Sequence, residues 1–177
     1  VVIGGGAMGL LHIMAIKMKG ARVILSEPLA DRRKKAFELG CDAVIDPMNE
    51  DAVEAVMNLT GGRGASAVFN TTASPKVAED TVSMTAPGGT CVMFSSLHPN
   101  NPVPVNMGRV HSYQITITGA VSPTIKAYYQ SVQLLAKGLL DPTPLIEGIY
   151  DYTEFDKAIE CAAKTESYKV LLKFGEQ

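Results

Sequence analysis

Short apolar runs rich in Val and Ile alternate along the chain with longer segments of mixed polarity, and the periods of the two differ. Val1 to Ile3 reads as a strand, Ala7 to Met18 as a helix and Arg22 to Ser26 as a strand. Asp31 to Leu39 is then a charged helix stopped by Gly40, Ala43 to Ile45 a short strand, and Asn49 to Leu59 a helix ended by Thr60-Gly61-Gly62. Ala65 to Phe69 is the next strand. Pro75 opens a helix to about Met84, Pro87-Gly88-Gly89 predicts a turn, Thr90 to Phe94 a strand, and Ser95 to Asn106 a polar loop. Tyr113 to Gly119 alternates apolar and polar with period two, as a half-buried or edge strand does.

The last third has another texture. Thr124 to Lys137 predicts a helix closed by Gly138, Asp141-Pro142-Thr143-Pro144 a stiff turn, and Leu145 to Tyr150 an extended segment. Phe155 to Lys164 is a helix and Lys169 to Phe174 a strand.

Strands separated by helices of this length form βαβ units, so residues 1–122 are expected to make a doubly wound α/β domain of the Rossmann type around a mainly parallel six-stranded sheet. Residues 123–177 form a separate helix-strand segment. Ligands of such sheets bind beyond the carboxyl ends of the strands, which directs attention to Gly4, Glu27, Thr71 and Ser95.

The 177 residues carry 46% hydrophobic and 19% charged side chains with a net charge of −2, an ordinary globular composition without the basic concentration that nucleic acid or a membrane surface requires. The longest apolar run, Ala7 to Met18, is too short to cross a bilayer core of about 30 Å as a helix. Cys41, Cys91 and Cys161 are far apart, odd in number and without a CxxC pair, so they read as reduced thiols and a cytoplasmic setting is expected. An apolar strand beginning at residue one, without an initiator methionine, leads to the expectation that the chain was cut from something longer.

Gly4-Gly5-Gly6-Ala7-Met8-Gly9 fits G-x-G-x-x-G between a predicted strand and a predicted helix. Gly4 permits the tight turn, Gly6 lets a pyrophosphate approach the backbone, and Gly9 lets the helix pack closely on the strand. No acidic residue lies between Val1 and Leu25 to repel phosphate. Glu27, at the end of the second strand, stands where a carboxylate would accept both hydroxyls of an adenosine ribose. It would repel a 2′-phosphate, which favours NAD over NADP. The run Arg32-Arg33-Lys34-Lys35 could serve a 2′-phosphate, but charge runs are more often a solvated helix face.

Hydride transfer also needs a proton acceptor or Lewis acid at the substrate oxygen, and no such group stands out. No Tyr-x-x-x-Lys, H-E-x-x-H, G-x-S-x-G or phosphate-loop motif occurs. His12 lies inside the first helix as a packing or capping residue, His98 reads as a solvated loop residue, and nothing recommends His111. No catalytic or metal-binding residue is assigned.

These residues resemble the coenzyme-binding part of the medium-chain dehydrogenases, in particular the zinc-dependent alcohol, sorbitol and threonine dehydrogenase branch. The resemblance runs through Gly4 to Leu11, Lys19-Gly20-Ala21, Glu27 with Arg32, and Leu39-Gly40-Cys41-Asp42. It continues through Leu59 to Ala65, Pro87-Gly88-Gly89-Thr90, Phe155 to Ala158 and Tyr168-Lys169-Val170. Asn70, Ser66, the Ser95-Ser96 pair and Ser122-Pro123 depart from the family pattern.

The resemblance implies that Gly4, Gly6, Ala7, Met8 and Gly9 form the pyrophosphate loop. It implies further that Glu27 and Arg32 hold the ribose, and that Thr71, Thr72, Phe94 and Ser95 line the pocket. It implies an NAD-dependent oxidation of an alcohol or polyol, a catalytic zinc held in a domain that precedes this one, a segment from residue 123 that returns to that domain, and a homodimer or tetramer joined through the edge Tyr113 to Gly119. A zinc-free quinone or enoyl reductase of the same superfamily and a non-catalytic NAD-sensing domain remain as alternatives.

Overall fold

A computed structural model describes residues 1–97, 100 and 102–175. By their internal contacts these residues fall into two compact units, Val1–Pro123 and Thr124–Gln177.

The first unit is a doubly wound α/β domain. Its strands are β1 (Val2–Ile3), β2 (Ile24–Ser26), β3 (Ala43–Ile45), β4 (Ala65–Asn70), β5 (Thr85–Met93) and β6 (Thr116–Gly119). They form one sheet in the order β3-β2-β1-β4-β5-β6, every neighbouring pair parallel. That order reverses between β1 and β4, the switch point at which such sheets open a crevice. The helices are α1 (Ala7–Lys17), α2 (Ala30–Glu38), α3 (Ala52–Leu59), α4 (Pro75–Ser83) and α5 (Met107–Tyr113). The core is built from the continuous apolar strands, with Ile3, Ile24, Ile45, Val68 and Cys91 packed with Val56, Val82 and Met84. Near-unbroken hydrophobic strands are what a parallel sheet buried on both faces requires.

Two expectations are corrected here. The turn at Pro87-Gly88-Gly89 lies inside β5 as a bulge: while β5 advances from Thr85 to Thr90, β4 advances only from Ala65 to Ala67. The glycines serve this excursion, since Gly88 has φ +71° and a Cβ on Gly89 would lie 2.8 Å from the Ala86 carbonyl oxygen. The predicted strand from Tyr113 begins only at Thr116, because Met107–Tyr113 is the helix α5. The Asn106 side chain caps α5 by accepting the Arg109 amide at 2.9 Å, and Gln114 ends it in the left-handed region at φ 52°. Arg109 fixes it by donating to the carbonyls of Val82, Ser83 and Thr85 while its guanidinium lies 4.5 Å from the Tyr113 ring centre.

The second unit holds α6 (Ile125–Ala136), a 3-10 turn (Thr143–Leu145), β7 (Ile146–Asp151), α7 (Phe155–Ala162) and β8 (Lys169–Lys173). β7 and β8 pair in parallel as a separate two-stranded sheet, with α7 packed on both. No helix among the described residues is long and apolar enough to cross a membrane.

Candidate functional site

The carboxyl ends of β1 to β4 open into a cavity of about 910 Å³ within the first unit. At the end of β1 the chain turns at Gly4, whose φ of +97° lies in the region that favours glycine. A Cβ on Gly4 would meet the Thr71 hydroxyl and the Thr72 methyl at 2.8 Å, and one on Gly9 would lie 1.8 Å from the Gly4 carbonyl oxygen. Both positions are therefore closed to any side chain by the protein's own packing. Gly6 differs: a Cβ there would find nothing nearer than an Arg32 guanidinium nitrogen at 4.0 Å. Gly6 borders open space, at the start of a helix with no side-chain cap and no acidic residue in its first turn. Its free amides and the positive end of α1 form a cradle for an anion.

Glu27 follows β2 and is only 3% exposed. Its backbone amide donates to the Ile45 carbonyl at 3.1 Å, and its carboxylate bridges two parts of the site. One oxygen accepts the Gly5 amide at 2.5 Å and the other accepts the Leu29 amide at 2.9 Å. Buried polar oxygens need hydrogen-bond donors, and here each oxygen of the carboxylate has a backbone one. Each oxygen retains a second acceptor position. Arg32 lies beside it along the glycine loop.

At the end of β4 the side-chain Oδ1 of the buried Asn70 accepts both the amide of Thr72 at 2.9 Å and its hydroxyl at 2.8 Å. The Thr71 hydroxyl donates to the Ile3 carbonyl at 2.8 Å, which ties the β4 end to the glycine turn. Asn70 thus shapes this wall.

Of the residues expected at the site, Gly4, Gly6, Glu27, Arg32, Thr71 and Thr72 line the cavity together. Gly9 supports it from below, while Ala7 and Met8 form the first turn of α1 without joining its walls. Phe94 and Ser95 also stand outside its walls: their amides reach the Asn70 carbonyl, and the Phe94 ring packs edge-on against His12 at 4.7 Å. His12 lies 5.2 Å from Phe69 as well and hydrogen-bonds the Met8 carbonyl through its ring at 2.7 Å, a packing role. His98 lies outside the described residues.

Sequence reasoning missed the far wall, made by Pro47 and Met48 after β3 and by Ser74, Lys76 and Asp80 around the start of α4. The same rule that singled out strand ends, applied to β3, would have found Pro47. The basic run is also corrected in part: Arg33 is held by backbone carbonyls and by Asp46, whereas Lys34 is exposed.

Among the described residues no group of three or more His, Cys, Asp or Glu side chains could hold a metal ion. Burial pushes the Cys41 and Cys91 thiols up, and both sulfurs donate to backbone carbonyls. These residues do not fit a zinc site.

A family model for zinc-binding dehydrogenases matches residues 7–137. L-threonine 3-dehydrogenase of Caldanaerobacter subterraneus subsp. tengcongensis is 33% identical, over 97% of this chain and 50% of that protein. Geraniol dehydrogenase of Castellaniella defragrans is 32% identical, over 98% of this chain and 47% of that protein. Among solved structures, a zinc-binding dehydrogenase of Sinorhizobium meliloti bound to NADP superposes with a TM-score of 0.89 at 25% identity, covering 97% of this chain and 51% of that one. The chain spans about half the length of the curated relatives it matches. Since the family match starts at the helix that follows the glycine turn and runs to the end of α6, taking in the cavity's walls from Ser26 to Met84, the chain belongs to the zinc-binding dehydrogenase family.

Proposed function

We propose that this chain binds NAD as the coenzyme-binding part of an oxidoreductase that transfers hydride between an alcohol or polyol and the nicotinamide. Bound NAD would supply the hydride acceptor. The amides at the start of α1, opened by Gly6, would take the pyrophosphate, with Gly4, Ala7, Met8 and Gly9 forming that turn. Glu27 would accept the two ribose hydroxyls through the acceptor positions its backbone donors leave free, and Arg32 would flank it. Thr71 and Thr72 would close the opposite wall, and Phe94 with Ser95, at the end of β5, are assigned to the nicotinamide side.

The observation that carries this reading is the buried carboxylate of Glu27, fixed to the glycine turn and facing a cavity large enough for a nucleotide. A 2′-phosphate would meet that carboxylate at close range, which selects NAD over NADP. The test is NADH fluorescence: a saturable rise on adding the chain supports the reading, and none at millimolar chain overturns it. The curated relatives' names support an alcohol or polyol substrate, and the free thiols Cys41, Cys91 and Cys161 support a cytoplasmic, reducing setting. We assign self-association as a homodimer or tetramer to the sheet edge β6, whose four residues are all exposed.

A further inference from the structure

We infer that Arg33, with Asp46, is a positioning pair that sets the choice between NAD and NADP without touching either. The inference rests on the reading of Glu27 as the ribose acceptor. Arg33 sits in the first turns of α2, behind the cavity and not among its walls. One guanidinium nitrogen donates to the Glu27 carbonyl at 2.8 Å and to the Pro28 carbonyl at 2.6 Å. The other pairs with the Asp46 carboxylate at 2.8 Å, with both side chains four-fifths buried.

Asp46 in turn organises the loop after β3. Its carboxylate accepts the Met48 amide and the Asn49 side-chain amide, each at 3.0 Å, and its own amide donates to Glu50. One side chain therefore braces the turn that carries Glu27 against the loop that presents Pro47 and Met48, the two walls between which an adenosine would lie. The same two segments also meet through the Glu27 amide on the Ile45 carbonyl, next to the pairing of β2 with β3.

The consequence concerns selection. A carboxylate discriminates between a 2′-hydroxyl and a 2′-phosphate only while it is held at hydrogen-bonding range of the ribose; displaced by an ångström, it loses the hydroxyls and repels the phosphate less. Fixing the main chain of Glu27 and Pro28 fixes that distance. It also keeps Arg33 engaged with three acceptors, so that this member of the basic run is not available to a phosphate.

The experiment titrates the wild-type chain, Arg33→Ala, Asp46→Asn and the double variant with NAD and NADP by calorimetry, and records the thermal midpoint of each without nucleotide. Losing one charge-assisted brace should weaken NAD about tenfold and NADP by less, so that the ratio of the two dissociation constants moves toward one. Asp46→Asn keeps the shape of the loop and reads the same ratio if Arg33→Ala unfolds. The double variant should fall no further than Arg33→Ala alone. An unchanged ratio with a lower midpoint would make the pair a stability element only, and selective loss of NADP would make Arg33 a phosphate ligand; either result overturns the inference. Wild-type chain binding neither nucleotide would instead overturn the reading of the site beneath it.

Discussion

The Gly5 amide donates to the Glu27 carboxylate at 2.5 Å, joining the glycine turn after β1 to the end of β2. The same carboxylate takes the Leu29 amide, so the acid expected to read the ribose also fixes the loop expected to hold the pyrophosphate.

Glu27→Gln should therefore act on both. Its amide nitrogen must face a backbone N–H at one end, leaving a buried donor unsatisfied at a cost of about 1–3 kcal/mol. The expected outcome is a thermal midpoint several degrees lower together with NAD affinity reduced at least about tenfold, measured by calorimetric scanning and titration.

Two glycines of one motif should separate cleanly. A Cβ at position 9 would lie 1.8 Å from a backbone oxygen, so Gly9→Ala should destabilise by about 3 kcal/mol or more. Gly6 has φ −71° and open space, so Gly6→Ala should leave the midpoint nearly unchanged and weaken nucleotide binding about tenfold. Urea denaturation and NADH titration of the pair read the two effects.

Acid should weaken the fold in a definite window. The Val23 amide and the Lys17 ammonium hold the Asp42 carboxyl below its ordinary 3.8. A depressed folded value means that the contribution is complete above the ordinary value and is lost as pH falls through the folded one. The wild type should lose stability from about pH 4 downward, whereas Asp42→Asn should be weaker at pH 7 and flatter below pH 4. Unfolding midpoints between pH 2 and pH 7 measure this.

The open edge should govern assembly. Ile117, in the middle of β6, is 40% exposed, and a charge there disfavours strand pairing across an edge. Ile117→Lys should shift a dimeric or tetrameric chain toward monomer in sedimentation velocity without altering its circular dichroism.

The legible parts of the chain were those whose requirements are local. The glycine turn, the acid after β2 and the apolar strands β1 to β4 declare themselves because a tight turn, a close approach and a buried strand each demand particular residues at particular spacings. The helix α5 did not, since none of its seven residues is buried and it stands on two caps and on Arg109 reaching back to the junction of α4 and β5. The bulge in β5 looked like a turn because Pro and Gly mark both. Arg33 looked like one charge in a solvated run; its partner Asp46 lies at the end of another strand, and only the fold brings the two together. The wall made by Pro47 and Met48 was hidden for the same reason.

The most direct measurement of the central claim is calorimetric titration of the chain with NAD and with NADP under identical conditions. The account predicts saturable binding at one site per chain, with NAD tighter by about tenfold or more, reflecting one close like-charge contact. Equal affinities, tighter NADP, or no heat with either nucleotide would contradict it.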